Sequence, residues 1–489
     1  MTITDQQLEK LSREELIAVI KLLLSEIEQL KARIAELESN SPTGKPPATS
    51  RNSSQPPSRD QKSNRGEKSQ KRVGAKPGHQ AAHRPLMENP DRVIEIKVEK
   101  CTVCCTDLRE ISPLQIIRHQ ITELPQTRPV VIETQIHEVE CPRCHTVRRA
   151  AAPEGLEPTR LFGPRLEATV IYLKQEQHLS YERIAGTMRD LYGVELSEGG
   201  VNAILRRGGE AAQPEADKIS AAVASSPVIS SDETSARVKG RNWWQWVFRS
   251  AAGVVHLISP TRGAEVIEKF MGDNCADCWV SDCFSSQLCA PAKDRQLCLA
   301  HQIRDLERVI EQAPELWWPE ATQELFREAI HLWNRFNTEK SLTEIGYQRR
   351  VAEIERRLGE LLAEDQTGTL AQGLSERFVK HRDHLLVFLN HSGVPPTNNA
   401  SERALRPSVI HRKVTNGFRS EWGAKAYAAL ETVLETAKLQ GRSLFEVLVE
   451  MMGKPVLPYL DTSKSLAITI KETPCVINEL RSACLPRYF

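Results

Sequence analysis

Three acidic residues, far apart in the chain, stand in contexts where carboxylates do chemistry. Asp232 lies in Ser231-Asp232-Glu233-Thr234 after the apolar pair Val228-Ile229, Asp282 follows the short run Cys278 to Ser281, and Glu402 lies in Asn398-Asn399-Ala400-Ser401-Glu402-Arg403 behind Pro395-Pro396. Two aspartates at neighbouring strand positions repel each other unless a cation sits between them, and a few hard oxygen ligands on a rigid support suit magnesium or manganese. A glutamate on the first turns of a helix capped by Asn398 or Asn399 is placed to reach the same ions. Arg406, one turn on, would orient that carboxylate or hold a phosphate. Two such ions about 4 Å apart activate a water or a 3′-hydroxyl and stabilise the leaving oxygen in an in-line attack on a phosphodiester, with no covalent protein nucleophile. Acids at strand ends and helix starts are also common as solvent-facing groups and caps, so the spacing by itself leaves that plainer reading open.

Cysteine supplies a second chemistry. Cys101-x-x-Cys104 and Cys141-x-x-Cys144 flank two alternating apolar stretches, Gln115 to Leu124 and Val130 to Val139, joined through Pro125 to Pro129. Read as a hairpin, these would bring four thiolates together around a tetrahedral structural zinc, with Cys105 and His145 as adjacent spares. Cys275-x-x-Cys278 and Cys298-x-x-His301 offer a second zinc set, although Cys278 begins the strand that leads into Asp282, where a thiolate-bound zinc competes for the local geometry. His301 and Arg304 share a helix and are expected to contact scissile DNA or Asp282; a packed core histidine is the alternative. Trp243, Trp244 and Trp246 alternate along a strand, so one face belongs to a core.

The elements that must position these groups follow from periodicity. From residue 226 the pattern is that of strands: the run through Ser231-Asp232, then Trp243 to Phe248, then Gly253 to Ile258. A helix from Ala264 to Phe270 and a further strand, Cys278 to Ser281, complete the order of a ribonuclease-H-like fold, in which Asp232 and Asp282 become neighbours. Upstream, Arg165 to Gln177, Tyr181 to Tyr192 and Ser197 to Arg207 read as three helices in a helix-turn-helix-like arrangement. Asn202, Arg206 and Arg207 lie on the last helix, where a recognition helix offers side chains to a groove. A plain helical packing unit is the competing interpretation.

Farther upstream, Leu16, Ile20, Leu23, Ile27, Leu30, Ile34 and Leu37 alternate in steps of four and three. That is a heptad seam with isoleucine at one position and leucine at the other, the arrangement of a parallel dimeric coiled coil; an amphipathic helix packed on the protein's own body fits too. Residues 39–89 are poor in large apolar side chains, and between Thr43 and Arg84 ten basic residues face two acidic ones, +8 net. Such a cationic arm holds phosphates through counterion release, or serves only as a solvated linker.

Whole-chain arithmetic sets the outer bounds. With 489 residues, 65 lysines and arginines against 64 acids, 40% hydrophobic and 26% charged residues, the composition excludes disorder throughout. No apolar run is long enough to cross a bilayer, and Leu16 to Leu24 is interrupted by Lys21, so neither a membrane span nor a signal peptide is expected. Twelve cysteines, several as Cys-x-x-Cys, suit reduced thiols, which points to the cytoplasm and the nucleoid.

Taken together, these motifs resemble a transposase of the insertion-sequence-66 family over nearly the whole chain. Asn52-Ser53-Ser54-Gln55-Pro56-Pro57-Ser58-Arg59-Asp60 and Gly74-Ala75-Lys76-Pro77-Gly78-His79 resemble that family's basic linker, the two Cys-x-x-Cys pairs its zinc-binding domain, and the leucine-rich start its zipper. The most specific matches are Ser231-Asp232-Glu233-Thr234, Ser281-Asp282, the run Cys298-Leu299-Ala300-His301-Gln302-Ile303-Arg304-Asp305-Leu306, and Asn398 to Arg403; the likeness fades after Met452. The resemblance implies that Asp232, Asp282 and Glu402 are the DDE metal ligands. It also implies a helical insertion at 305–396.

The resulting expectation is an α/β ribonuclease-H-like catalytic domain (226–440) with that insertion. It is preceded by a coiled coil (1–38), a basic linker (39–89), a small β zinc-binding domain (90–150) and a helix-turn-helix-like domain (160–212), and followed by a tail (441–489). The expected function is a DNA transposase that binds the ends of an insertion sequence and catalyses metal-dependent strand cleavage and transfer. Its expected partners are element ends, target DNA, a second copy of itself, and accessory proteins of the same element; no membrane is involved. The alternative is a non-catalytic zinc-containing DNA-binding protein with a relict nuclease fold. A ribonuclease acting on hybrids ranks below both, because it requires neither zipper, zinc domain nor cationic arm.

Overall fold

The computed structural model describes residues 84–124, 127–152, 160–391 and 393–453. The heptad region, nearly all of the basic linker and the tail beyond Gly453 lie outside the described residues.

In chain order, a short hairpin of β1 (Glu138–Glu140) and β2 (Val147–Arg149) precedes three helices, α1 (Pro164–Gln175), α2 (Tyr181–Tyr192) and α3 (Glu198–Ala224). Then come strands β3 (Val228–Val238), β4 (Arg241–Arg249) and β5 (Val254–Ser259), helix α4 (Glu265–Met271), strand β6 (Ala276–Ser281), the short helix α5 (Ser285–Leu288) and strand β7 (Ala292–Leu297). A helical block follows: α6 (Leu299–Gln312), α7 (Trp317–Asn337), α8 (Glu344–Ala363), α9 (Gln372–Lys380) and α10 (Val387–Asn390). The described chain closes with α11 (Asn399–Thr415), α12 (Glu421–Leu439) and α13 (Leu444–Met452).

Local chemistry fixes these boundaries. The Ser180 hydroxyl accepts the Arg183 N–H at the start of α2, Gly193 ends that helix at φ 66°, and Ser197 caps α3 by accepting the Gly200 N–H. Lys239 and Gly240, with φ 51° and 75°, form the two-residue turn between β3 and β4, the geometry that matches strand twist in a tight hairpin.

Strands β3 to β7 form a mixed sheet in the order β5-β4-β3-β6-β7, antiparallel from β3 to β5 and parallel from β3 through β6 to β7. This arrangement is consistent with the ribonuclease-H-like reading. Alternation divides β4: Trp246 and Phe248 face one side, where Phe248 stacks on Phe270 at 4.0 Å and meets Trp279 edge-on at 6.0 Å. Val247 faces the other side and packs with Ala404 and Leu405 of α11. Full burial of each large aromatic is worth about 1.5–3 kcal/mol. The edge strand β5 is protected by α12, whose Thr436 and Thr432 hydroxyls accept the Val254 and His256 N–H groups at 3.0 and 2.9 Å.

Three expectations need correcting. The three upstream helices do not stand apart from the catalytic sheet, because Ile171, Ile184, Ile204 and Val223 share one core with Ile229, Trp246, Phe248, Leu430 and Leu434. Helix α3 runs on to Ala224, well past the expected end at Arg207, and its Gly209 lies so close to α12 that a Cβ there would meet the Ala426 side chain and backbone. The expected tail also begins with core structure, since Val447, Leu448 and Met452 of α13 join the same cluster. Residues of the expected insertion, from α6 to α10, build their own core around Phe326, Phe378 and Phe388, joined to the sheet through Cys278, Val280 and Leu297. No helix among the described residues is long and apolar enough to cross a membrane.

Candidate active site

The parallel pairing of β3 with β6 sets the first two carboxylates side by side. Val228, Ile229 and Ser230 pair with Cys278, Trp279 and Val280, so two residues further along the same register Asp232 stands level with Asp282. Strand β6 ends at Ser281, and Asp282 opens the loop, its Oδ1 accepting the Phe284 N–H at 3.1 Å. Asp232 Oδ1 accepts the Glu233 N–H at 2.9 Å. Among the described residues no donor reaches the second oxygen of either carboxylate.

Glu402 arrives on the first turn of α11, which is fastened along β3 at both ends. Ser401 Oγ donates to Ser230 Oγ at 2.9 Å, and beyond the helix Phe418 exchanges main-chain bonds with Arg237 and Lys239 at 2.7 and 2.9 Å. Asn398 holds the N-cap position but does not cap the helix with its side chain. Its Nδ2 donates instead to the Ser231 carbonyl at 2.6 Å, and its main-chain N–H donates to Cys298 Sγ at 3.1 Å. The reason is its place, fully buried where β6 has stopped and β3 has lost its parallel partner, so a strand carbonyl competes for the amide.

The three acids lie near enough to bear on one another's charge. Burial pushes the Asp232 carboxyl well above its ordinary range, and the charges of Glu233, Asp282 and Glu402 push it further. A set of half-buried carboxylates that disfavour one another's charge is relieved by a divalent cation, and an all-oxygen set fits magnesium or manganese rather than a thiophilic ion. The donors present therefore fit the implied metal.

Several contributors were not apparent from the motifs. Glu233 points to the opposite face from Asp232, where Arg262 donates to Oε1 from Nε at 2.9 Å and Nη2 at 2.5 Å, and Gln287 donates to Oε2 at 2.6 Å. Gln287 Oε1 in turn accepts from the Ser231 hydroxyl and from the Trp279 indole. The Arg262 guanidinium lies over the Phe284 ring at 3.7 Å and the Trp244 ring at 4.6 Å, tying this network to the loop of Asp282. Burial first, then Asp282, raises the Glu233 pKa, while Arg262 and Gln287 restrain the rise. The two-residue strand period already separates Glu233 from Asp232, but its partners come from segments 29 and 54 residues away.

Arg304 and His301, expected at DNA or Asp282, both turn to Glu402. Arg304 Nη2 lies 3.2 Å from Glu402 Oε1 and His301 Nδ1 3.7 Å from the same atom. Burial and then the Arg304 charge lower the His301 pKa, which favours the neutral imidazole. The orienting role considered for Arg406 thus belongs to Arg304, while Arg406 is exposed on α11. Arg207 is also employed elsewhere: with Arg160 it pairs to the fully buried Glu167, so it is not free to enter a groove. Arg206 is exposed, lying over the Trp422 ring and beside Glu210.

The cysteine expectations change more. Residues 115–124 and 130–137 form no strands; Ile116, Ile117, Ile121, Leu124 and Val131 are exposed, and without a layer to cover one face their alternation does not make a sheet. What the structure does show is the same turn built twice. In Cys101 to Thr106 and Cys141 to Thr146, the first cysteine's N–H donates to the threonine carbonyl, the second cysteine's sulfur lies 3.1 Å from the threonine hydroxyl, and the following residue, Cys105 or His145, has φ 56°. Exposed hydrogen bonds from Thr106 lower the Cys104 pKa to about 7, and Thr146 lowers that of Cys144. The four sulfurs are not gathered into one cluster. Nor is the second set, since Cys278 is level with Asp294, four residues along β7 from Cys298 and so roughly 13 Å away. Among the described residues the group with three close metal-binding side chains is Cys298, His301 and Glu402.

A five-stranded mixed sheet with helices packed against it is consistent with an α/β protein of the ribonuclease-H-like class. The chain belongs to the IS66 transposase family, whose model, described as Transposase IS66 family, matches residues 159–426. Membership implies DNA binding, DNA transposition and use of a divalent metal. Residues 4–85 match a family of unknown function, DUF6444. The chain is also similar to the uncharacterized protein y4hP of Sinorhizobium fredii, 24% identical over 409 residues that cover 75% of this chain and 73% of that protein.

Proposed function

We propose that this transposase binds the ends of its element and carries out strand cleavage and strand transfer at a site formed by Asp232, Asp282 and Glu402. The observation that supports the reading is the parallel register of β3 and β6, along which Asp232 on β3 is level with Asp282 just past the end of β6, with Glu402 near enough for its charge to bear on Asp232. Divalent ions, when bound there, supply charge neutralisation and a more acidic attacking hydroxyl.

The chain's own residues do the rest. Main-chain N–H groups of Glu233 and Phe284 hold one oxygen of each aspartate, leaving the other for an ion. Arg304 orients Glu402, and the His301 imidazole beside it stands ready to accept or give a proton. Arg403 and Arg406, exposed on α11 next to Glu402, are placed to neutralise phosphates of bound DNA.

The basic linker adds sequence-independent affinity, α2 and α3 a helix-turn-helix-like surface, and the heptads a dimer contact. The paired cysteine turns hold a structural zinc when the region around them closes. The test is movement of a marked element, supplied with its flanking DNA and neighbouring reading frames, by the native protein or by Glu402→Gln. Movement with the native protein alone, at equal protein level and equal end binding, is expected; equal movement with both removes Glu402 from the chemistry.

A further inference from the structure

We propose that Cys298, His301 and Glu402 form a second metal site, selective for a thiophilic ion such as zinc, that switches the active site off by withdrawing Glu402 from Asp232 and Asp282. Occupancy of this site rests on the three residues themselves. Its effect on catalysis rests on the role given to Glu402 above.

The geometry is nearly made. Cys298 Sγ, a ring nitrogen of His301 and an oxygen of Glu402 all lie within 4.8 Å of one another. A tetrahedral zinc with ordinary bond lengths holds its ligand atoms about 3.5 Å apart, and His301 Nδ1 is already 3.7 Å from Glu402 Oε1. The Cys-x-x-His spacing explains the approach: Cys298 is the N-cap of α6 and His301 lies on its first turn, its N–H donating to the Cys298 carbonyl at 3.1 Å.

Two features point to a ligand rather than to packing. His301 Nδ1 is buried without a hydrogen-bond partner, and the Glu402 oxygen is too far to serve as one. Cys298 is fully buried, yet its sulfur accepts the Asn398 main-chain N–H at 3.1 Å, a donor that would stabilise a thiolate. Without a metal, burial keeps the thiol protonated, its pKa pushed up to about 11. Magnesium, which prefers oxygen ligands, does not displace that proton, whereas zinc does, forming the Zn–S bond and releasing one proton to solvent. Selectivity between the two ions therefore lies in the sulfur, and competition between the two sites lies in their shared carboxylate.

The experiment is a cobalt(II) titration of the full-length native chain, Cys298→Ser and His301→Gln, each checked for folding by circular dichroism. The other cysteines are the same in all three and cancel in difference spectra. Expected is one more cobalt per chain in the native protein than in Cys298→Ser, with a thiolate charge-transfer band absent from that variant. Cobalt affinity at this site is expected to be at least tenfold weaker in His301→Gln. Identical titrations of native protein and Cys298→Ser overturn the site; should the serine variant not fold, unchanged affinity in His301→Gln does so.

The switch is read separately, as the zinc concentration that halves magnesium-dependent cleavage of end DNA, each protein compared with its own zinc-free rate. At least tenfold more zinc is expected for His301→Gln, and equal sensitivity overturns the switch. Cobalt binding decides the site whether or not the preparation cleaves DNA. A catalytically silent protein with an intact cobalt site counts against the role of Glu402 and not against the site.

Discussion

The Asn398 side chain donates to the main-chain oxygen of Ser231 at 2.6 Å, across 167 positions of sequence. One hydrogen bond thus joins the turn before Glu402 to the residue before Asp232, and the spacing of the proposed metal-binding carboxylates should depend on it. Asn398→Ala is expected to cost about 1 kcal/mol of stability and to lower cleavage by roughly 10–100-fold. Because the loss is one of positioning, the magnesium concentration for half-maximal rate should rise. An unchanged magnesium dependence would show that Asn398 serves the fold alone.

Arg262 is the second lever on the site. Its partner Glu233 is only 1% exposed, so Arg262→Ala leaves a buried carboxylate with Gln287 alone. Breaking a fully buried pair costs about 3–5 kcal/mol; with the guanidinium 37% exposed, solvent screening reduces the expected loss to about 2 kcal/mol. Arg262→Lys should recover part of it, although lysine lacks the flat face that lies over Phe284 and Trp244. Calorimetric melting temperatures check this, and wild-type stability in Arg262→Ala would refute it.

Stability should carry a histidine signature in mild acid. His411, in a three-ring cluster with Phe418 and Tyr427, has its pKa lowered to about 3 by burial, against about 6.5 in an unfolded chain. A group whose folded pKa is depressed in this way contributes stability that is complete above about pH 6.5 and lost as pH falls toward 3. Buried His256 acts in the same direction. Glu431 and Asp232, whose pKa values are raised, act in the opposite one. The difference between native protein and His411→Phe isolates the one group: between pH 7 and pH 5 the native chain should lose about 2 kcal/mol relative to the variant. Parallel pH profiles from denaturant unfolding would contradict the assignment.

The twin cysteine turns make a stoichiometric prediction. Purified chain, washed free of loosely held metal, should retain one zinc through Cys101, Cys104, Cys141 and Cys144, and Cys104→Ser or Cys144→Ser should each release it, since three thiolates hold the ion far less tightly than four. Elemental analysis decides the matter. Retention of zinc by both variants would mean that the turns do not share an ion.

The elements that carry the candidate site were legible in the sequence because strand and helix periods are local. The run into Ser231-Asp232, the short strand before Asp282 and the Asn-Asn-Ala-Ser-Glu start of a helix each identify a position on an element, and those elements formed where expected. What local patterns could not supply was register and company. The offset that sets Asp232 level with Asp282 arises from two strands 50 residues apart pairing in parallel, and the approach of the start of α11 to α6 set Glu402 beside Arg304 and His301. Asn398 became a tie to β3 rather than a cap because its burial put a strand carbonyl in reach. The helix-turn-helix-like unit has its second and third helices starting where expected, yet only the tertiary structure merged it into the core of the sheet, through glycines in α3 that admit α12. Sequence spacing determined which groups could act; burial and pairing between distant segments decided which of them meet.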